Sequence, residues 1–342
     1  MAHEPNFQMK NYAHIWQSIS PLLLQSDFAF ANLESTVDDE ENFSGYPRFN
    51  MRENFPNAAI DAGFNVFSLA NNHSTDNGER GILQTKKWST SILEKTKTNE
   101  RNIFFSGIKN ENEKLQSSLI EKNGWRILFC AATEIVNETK SLSLLNYISP
   151  AKKSREVFLE NLKQVRSENP CDIFVLSLHE NVPEYEKKIA SAQKEFYHEL
   201  LNAGVDILWA NHPHIVLETE IVLKKNDKDF FKIIFYANGN TISAQRTKYN
   251  FSNPNANREN TGDGLLSRVT LSKKNKNARV HLENLEPFFI TTAILENREF
   301  VVRFLDDEFI LELENQNKTQ EANYFKERKK IMNEIKVLKT WQ

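Results

Sequence analysis

Val66-Phe67-Ser68-Leu69-Ala70 running into Asn71-Asn72-His73 decides how this chain is read, because an apolar run that stops on polar, metal-competent side chains is a strand delivering a site. The pattern recurs twice. Ile173-Phe174-Val175-Leu176-Ser177-Leu178 ends on His179, and Val205-Asp206-Ile207-Leu208-Trp209-Ala210 ends on Asn211-His212-Pro213-His214. Runs this continuous belong to strands covered on both faces. Ligands of such sheets sit beyond the carboxyl ends of the strands. Four of the eight histidines are thereby placed at strand ends, which reads as a metal site. Imidazole with amide or carboxylate oxygen suits a divalent ion such as Zn, Mn or Fe, and the thiolate clusters of structural zinc are missing.

Between these strands the order helix, glycine, apolar strand, polar tip repeats, which predicts a layered α/β domain. Helices are expected over 11–25, 55–62 with Gly63 as the stop, 81–95, 154–167 and 188–202. Strands are expected at 28–31, 103–105 and 125–131, and the stretch 38–54 reads as a loop. From Glu218 onward the pattern turns to strands at 218–224, 231–237, 264–272, 278–284 and 299–305. Residues 318–339 are charged, free of Gly and Pro, and read as a peripheral helix or frayed tail. Residues 1–290 are taken as one domain and 291–342 as a C-terminal strand and charged helical tail.

The chain has 342 residues and a formal net charge of -3, so it has length for a substantial core and no general basic surface for nucleic acid. Its two cysteines, Cys130 and Cys171, lie in or beside apolar runs and read as small hydrophobes rather than a disulfide. No run reaches the roughly 18–20 apolar residues of a membrane span, and the start lacks the layout of a signal peptide. As written the chain reads as soluble. His14, His198 and His281 have charged or polar neighbours and read as surface residues.

Phe30-Ala31-Asn32-Leu33-Glu34, Gly63-Phe64 with Ser68 to His73, Asp76-Asn77-Gly78, His179 with Glu184-Tyr185, Asn211 to His214 and Tyr236-Ala237-Asn238-Gly239-Asn240 resemble the successive motifs of the CapA-type capsule synthesis proteins. These include the poly-gamma-glutamate capsule proteins and fall within the calcineurin-like metallophosphoesterase superfamily. The resemblance runs over about residues 1–290. It implies a four-layer αββα sandwich of metallophosphoesterase type with two divalent metal ions at the strand ends. Under it Glu34 bridges the ions, and Asn72, His179 and His212 hold one of them. His214 and residues of the first motif hold the other. His73 would act on the substrate with Asp76 orienting it, and Asn71, Glu184, Asn238 and Asn240 would face the substrate. For Asn238 and Asn240 the turn around Gly239 is an equal explanation.

Two departures stand out. The family's first strand ends in Gly-Asp shortly before a Met and often a His. Here Met1 occupies that Met position, so the strand is missing, only His3 of the motif is left, and the first metal position is incomplete. An upstream Val/Ile/Leu/Phe-rich strand ending in Gly-Asp is therefore expected, with a signal peptide or membrane anchor before it in an exported or envelope-anchored full-length protein. Where many relatives have His-Trp-Gly, this chain has His179-Glu180-Asn181. The implied function is a metal-dependent phosphoester hydrolase in the synthesis or export of an anionic polymer, within a membrane-bound capsule synthesis complex. A non-catalytic polymer-binding subunit and a metal-dependent amide hydrolase on poly-glutamate are the alternatives.

Overall fold

The computed structural model describes residues 12–96 and 101–341. The chain is mixed α/β. A single helical turn at Ala13–Trp16 is followed by helix α1, Ser20–Gln25. The continuous helix expected over 11–25 is thus broken, and Pro21 marks the restart: it sits in the first turn of α1, where its missing N–H costs nothing. Strand β1 is Phe30–Asn32. The expected loop at 38–54 is partly structured, since β2 (Thr36–Val37) pairs in parallel with β3 (Asn50–Met51). Helix α2, Asn54–Ala62, closes on Gly63, whose φ of 120° suits only glycine and whose Cβ would lie 2.8 Å from Leu23 Cβ. It feeds β4, Val66–Ser68, which lies in parallel between β1 and β5, Phe104–Ser106. Helix α3, Gly78–Thr96, connects β4 to β5.

A larger sheet holds seven strands. The sequence patterns did not show β6, Ser117–Lys122, which is antiparallel to β7, Trp125–Thr133; its Ser, Glu and Lys leave little apolar pattern. Helix α4 (Lys152–Glu168), strand β8 (Ile173–His179), helix α5 (Ser191–Asn202) and strand β9 (Ile207–Asn211) follow, with β7, β8 and β9 parallel. All seven residues of β8 are buried, each large apolar one contributing roughly 1.5–3 kcal/mol. Strands β10 (Thr219–Lys224) and β11 (Asp227–Phe235) form a hairpin, and β11 joins β9 in parallel. A three-stranded antiparallel sheet consists of β12 (Asp263–Ser272), β13 (His281–Ile294) and β14 (Phe300–Phe304). Its middle strand is twice as long as the expected segment at 278–284.

Helices α6 (Asp307–Asn315) and α7 (Thr319–Met332) precede a final strand, β15 (Val337–Trp341), parallel to β10. The expectation of a helix continuing to 339 is corrected here. β15 supplies β-formers such as Val337 and Trp341, and pairing with β10 satisfies backbone groups that a frayed helix would leave to water.

Phe129, Ile173, Val175 and Ile233 meet Val66 in one core, with Phe30, Phe104, Val269 and Leu285 against it. The other face of the large sheet packs Leu176 and Leu208 under Phe158 and Leu162 of α4 and Phe196 and Leu200 of α5. Phe67 and Phe105, on the small parallel sheet, pack with Trp88 of α3 and Phe55 of α2. β1 and β12 are edge strands of their sheets. Between them runs a cavity of about 620 Å³, with residues 28–34 on one side, 265–271 on the other, and Ile173, Val175, Ile207 and Phe235 as its floor. Among the described residues no named strand pairs with β1 or with β12 on that side, where β12 makes only an isolated antiparallel bridge from Gly264 to Gly239.

Candidate metal centre

The carboxyl ends of β1, β4, β8 and β9 open toward one point, and the side chains that follow them converge there. His179 Nε2 lies 3.2 Å from His212 Nδ1 and 3.9 Å from Glu34 Oε1, while His214 Nε2 lies 3.6 Å from the same Glu34 oxygen. Glu34, His179, His212 and His214 are all buried. Burial pushes His179 and His212 below the usual imidazole range, so both are neutral at pH 7. Burial also opposes ionisation of Glu34, but the positive charge that His214, His179 and His73 carry when protonated outweighs that and brings the carboxyl down to about 2.

The polar accounting fits a cation as well. Glu34 Oε1, Asn72 Oδ1 and His179 Nδ1 are buried and have no hydrogen-bond partner among the described residues. Such atoms are costly unless something compensates them. Two neutral ring nitrogens 3.2 Å apart, His179 Nε2 and His212 Nδ1, repel unless a proton or a cation lies between them. Together the donors form a mixed oxygen and nitrogen set suited to a borderline divalent ion.

Backbone geometry aims these groups. His212 and His214 have φ of 110° and 58°, a region costly for residues with a Cβ. Pro213 between them turns the chain so that both rings face inward. Asn240 holds the second ring: His214 Nδ1 donates to its Oδ1 at 3.0 Å, while its Nδ2 donates to His214 O at 3.2 Å and Thr261 O at 2.9 Å. That leaves His214 Nε2 for the cluster. Asn240, expected to be either a turn residue or a substrate contact, is therefore placed as an orienting residue. Asn238 is partly exposed, and its Oδ1 lacks a partner among the described residues.

A Cβ on Gly264 would lie 2.2 Å from Asn240 O and 3.1 Å from Ile290 Cγ1. Gly264→Ala is accordingly expected to destabilise by about 1–3 kcal/mol through overpacking against backbone and to loosen His214. Urea denaturation together with metal-affinity measurement checks this. Wild-type values for both would show that Asn240 has room to move.

His73 sits on the turn after β4. Its Nδ1 lies 2.6 Å from Asp76 Oδ2, an oxygen that also accepts from Phe49 N at 2.7 Å. Asn137 Nδ2 donates to Asp76 Oδ1 at 2.7 Å, and the Phe49 ring packs edge-on at 4.4 Å from the imidazole. Asn137 was not singled out in the sequence, because it lies in a loop of no periodic pattern. Asn71 is fully buried, donates to Leu33 O at 2.9 Å and accepts from Ser74 Oγ at 3.1 Å, so its side chain ties the β1 end to the β4 turn. Glu184 is not buried, but its carboxylate comes within 4.8 Å of the ligand atoms of His212 and His214. His3 lies outside the described residues. His14, His198 and His281 make partly exposed contacts with Glu299, Glu220 and Asp229, away from this cluster.

Comparison with known proteins agrees with this geometry at the level of family. Residues 1–245 match the family described as Bacterial capsule synthesis protein PGA_cap. The capsule biosynthesis protein CapA of Bacillus anthracis is 28% identical over 303 residues, covering 84% of this chain and 66% of that protein. The PGA biosynthesis protein CapA of Bacillus subtilis (strain 168) is 24% identical over 241 residues, covering 70% of this chain and 59% of that protein. The chain thus spans about two thirds or less of these relatives. A solved structure titled "GAP50 the anchor in the inner membrane complex of Plasmodium" aligns at 12% identity over 87% of this chain and 81% of that one, with a TM-score of 0.31 too low to carry an argument. With its family motifs at the converging strand ends and the match spanning most of its length, the chain belongs to the bacterial capsule synthesis protein PGA_cap family.

Proposed function

We propose that this chain is a metal-dependent hydrolase of phosphoester type working in the synthesis or export of an anionic capsule polymer, with its sheets and helices forming a four-layer αββα sandwich. The observation that carries the reading is the convergence of His179, His212, His214 and Glu34 around buried atoms that lack partners among the described residues. Asn72, His179, His212 and Glu34 would hold one divalent ion, and Glu34 with His214 would contribute to a second. Bound there, Mn, Fe or Zn would supply Lewis acidity and a water of lowered pKa. Glu34 is the protein's own charge at the centre, and its burial keeps it from being screened by solvent. Asp76 fixes His73 by accepting the hydrogen bond from its Nδ1–H, which leaves Nε2 to hold or give a proton at the leaving oxygen. Capsule relatives point to an anionic polymer or its phosphoester precursor as substrate, and to a membrane-bound synthesis complex as partner.

Among the described residues no helix is long and apolar enough to cross a membrane. The test is to strip the purified protein with chelator, restore Mn, Fe or Zn singly, and assay a generic phosphodiester beside poly-gamma-glutamate. Metal uptake with phosphodiester cleavage, both lost on chelation, is expected. Uptake with amide cleavage would convert the reading to an amide hydrolase, uptake with polymer retention and no turnover to a binding subunit, and no uptake would end the metal reading.

A further inference from the structure

We infer that Glu184 is a metal ligand, closing the cluster from its solvent side together with His212 and His214. The inference rests on the metal-centre reading above and goes beyond it by assigning a donor to its least furnished side. There the described residues supply the second ion with only His214 Nε2 and Glu34 Oε1, 3.6 Å apart, whereas a protein-bound zinc ordinarily has three or four protein donors. A third donor is present in the loop between β8 and α5. The ligand atoms of Glu184, His212 and His214 all lie within 4.8 Å of one another. Donors about 2.0–2.2 Å from a common tetrahedral ion are about 3.3–3.6 Å apart, so the three ligand atoms would draw together by up to about 1.5 Å on binding, a movement within reach of a loop carboxylate that is not buried.

That loop is not placed by chance. Tyr185, the next residue, donates its backbone N–H to Pro213 O at 2.9 Å, in the middle of the His-Pro-His turn. Its ring lies 6.2 Å from the His214 ring, and its hydroxyl accepts from Gln245 Nε2 at 3.1 Å. Tyr185 has a φ of 65°, and His212 and His214 have φ of 110° and 58°. Three side-chain-bearing residues in the left-handed region around one point mark a backbone held against its preference. The result of that holding is to set Glu184 against the two histidines. Charge argues the same way, because two dications beside one carboxylate are far from neutral, and a second carboxylate reduces the excess.

A substrate contact, the role expected for Glu184 from the sequence, would leave metal affinity untouched when no substrate is present. A ligand would not. The experiment is equilibrium dialysis of the metal-free full chain against Mn²⁺, with metal counted by mass spectrometry, for wild type, Glu184→Gln, Glu184→Asp and Asn72→Ala. Electron paramagnetic resonance of the bound Mn²⁺ supplies a second readout. Glu184→Gln is expected to weaken uptake at one site by on the order of 10- to 100-fold or more, the range set by losing even an outer-shell partner. It should also change the resonance spectrum, while Glu184→Asp restores part of the affinity. Asn72→Ala should weaken the other site. Uptake and spectrum unchanged in Glu184→Gln, with wild type binding metal, would overturn the assignment of Glu184 alone. Absence of uptake by wild type would overturn the metal-centre reading and this inference with it. Because Glu184 lies outside the core, circular dichroism should show every Glu184 variant folded.

Discussion

Asp263→Asn is expected to destabilise the folded chain by about 3–5 kcal/mol, the usual cost of removing one member of a buried charge pair. Asp263 is fully buried at the start of β12, and the side chains of Arg246 and Arg328, one from each flank, are also fully buried. Its Oδ2 accepts from Arg328 Nε at 2.7 Å and Nη2 at 2.5 Å, and its Oδ1 accepts from Arg246 Nη1 at 3.3 Å and Thr291 Oγ1 at 2.7 Å. Glu259 is the other buried acid nearby, accepting a hydrogen bond from the Tyr324 hydroxyl at 2.5 Å, and Tyr324 in turn accepts from Arg246 Nη1 at 2.9 Å. Two guanidiniums thus face two carboxylates. Removing one carboxylate charge leaves a cation in a medium where it has no water.

The effect reaches both ends of the fold. Arg328 belongs to α7, so the pair ties the C-terminal helix to β12, and Asp263 O accepts at 3.3 Å from the backbone N–H of Asn240, the residue that orients His214. A domain stable by roughly 5–15 kcal/mol would lose a large share of that. Urea denaturation monitored by tryptophan fluorescence measures it. Arg328→Met should also destabilise, and the Asp263→Asn/Arg328→Met pair should cost less than the sum of the two. A loss below about 1 kcal/mol for Asp263→Asn would mean that water or rearrangement relieves the charge.

None of this network was visible in the sequence. Arg246 and Arg328 stand in polar surroundings, and nothing in periodicity says that a charged residue on a charged helix points inward. What could be read was what apolar pattern and motif order encode. The continuous runs before Asn71, His179 and Asn211 are strands whose ends meet, because a run buried on both faces has no polar period to misread. The strand at Ser117–Lys122 and the strand at Val337–Trp341 escaped for the opposite reason: each is an outer strand, with exposed Glu121 in the first and exposed Val337 in the second. In the site, residue types were legible but partners were not. Asn240 and Asn71 were recognised as belonging there. That Asn240 grips His214 depends on positive φ angles at His212, His214 and Gly239 that the sequence does not announce, and that Asn71 grips Leu33 depends on how the end of β1 meets the turn after β4.

If the chain hydrolyses a phosphoester, His73→Ala is expected to lower kcat by on the order of 10²- to 10⁴-fold, the usual worth of a positioned acid or base, with metal content unchanged. The geometry separates the two readouts. His73 Nδ1 is already engaged by Asp76 Oδ2 at 2.6 Å, and Asn137 and Phe49 N hold that carboxylate in turn, so the ring is fixed from behind and only Nε2 is left for chemistry. The donors that converge around Glu34 are His179 and His214, with His212 beside His179. Removing the His73 ring should therefore leave them in place. Asp76→Asn should lower kcat in the same direction by a smaller factor, because an amide that donates toward Nδ1 favours the wrong tautomer. Measuring turnover per bound metal decides the matter: if His73→Ala loses metal in proportion to activity, His73 is a ligand, and the division of labour between ion-holding and proton-handling residues proposed for this centre fails at its most exposed step.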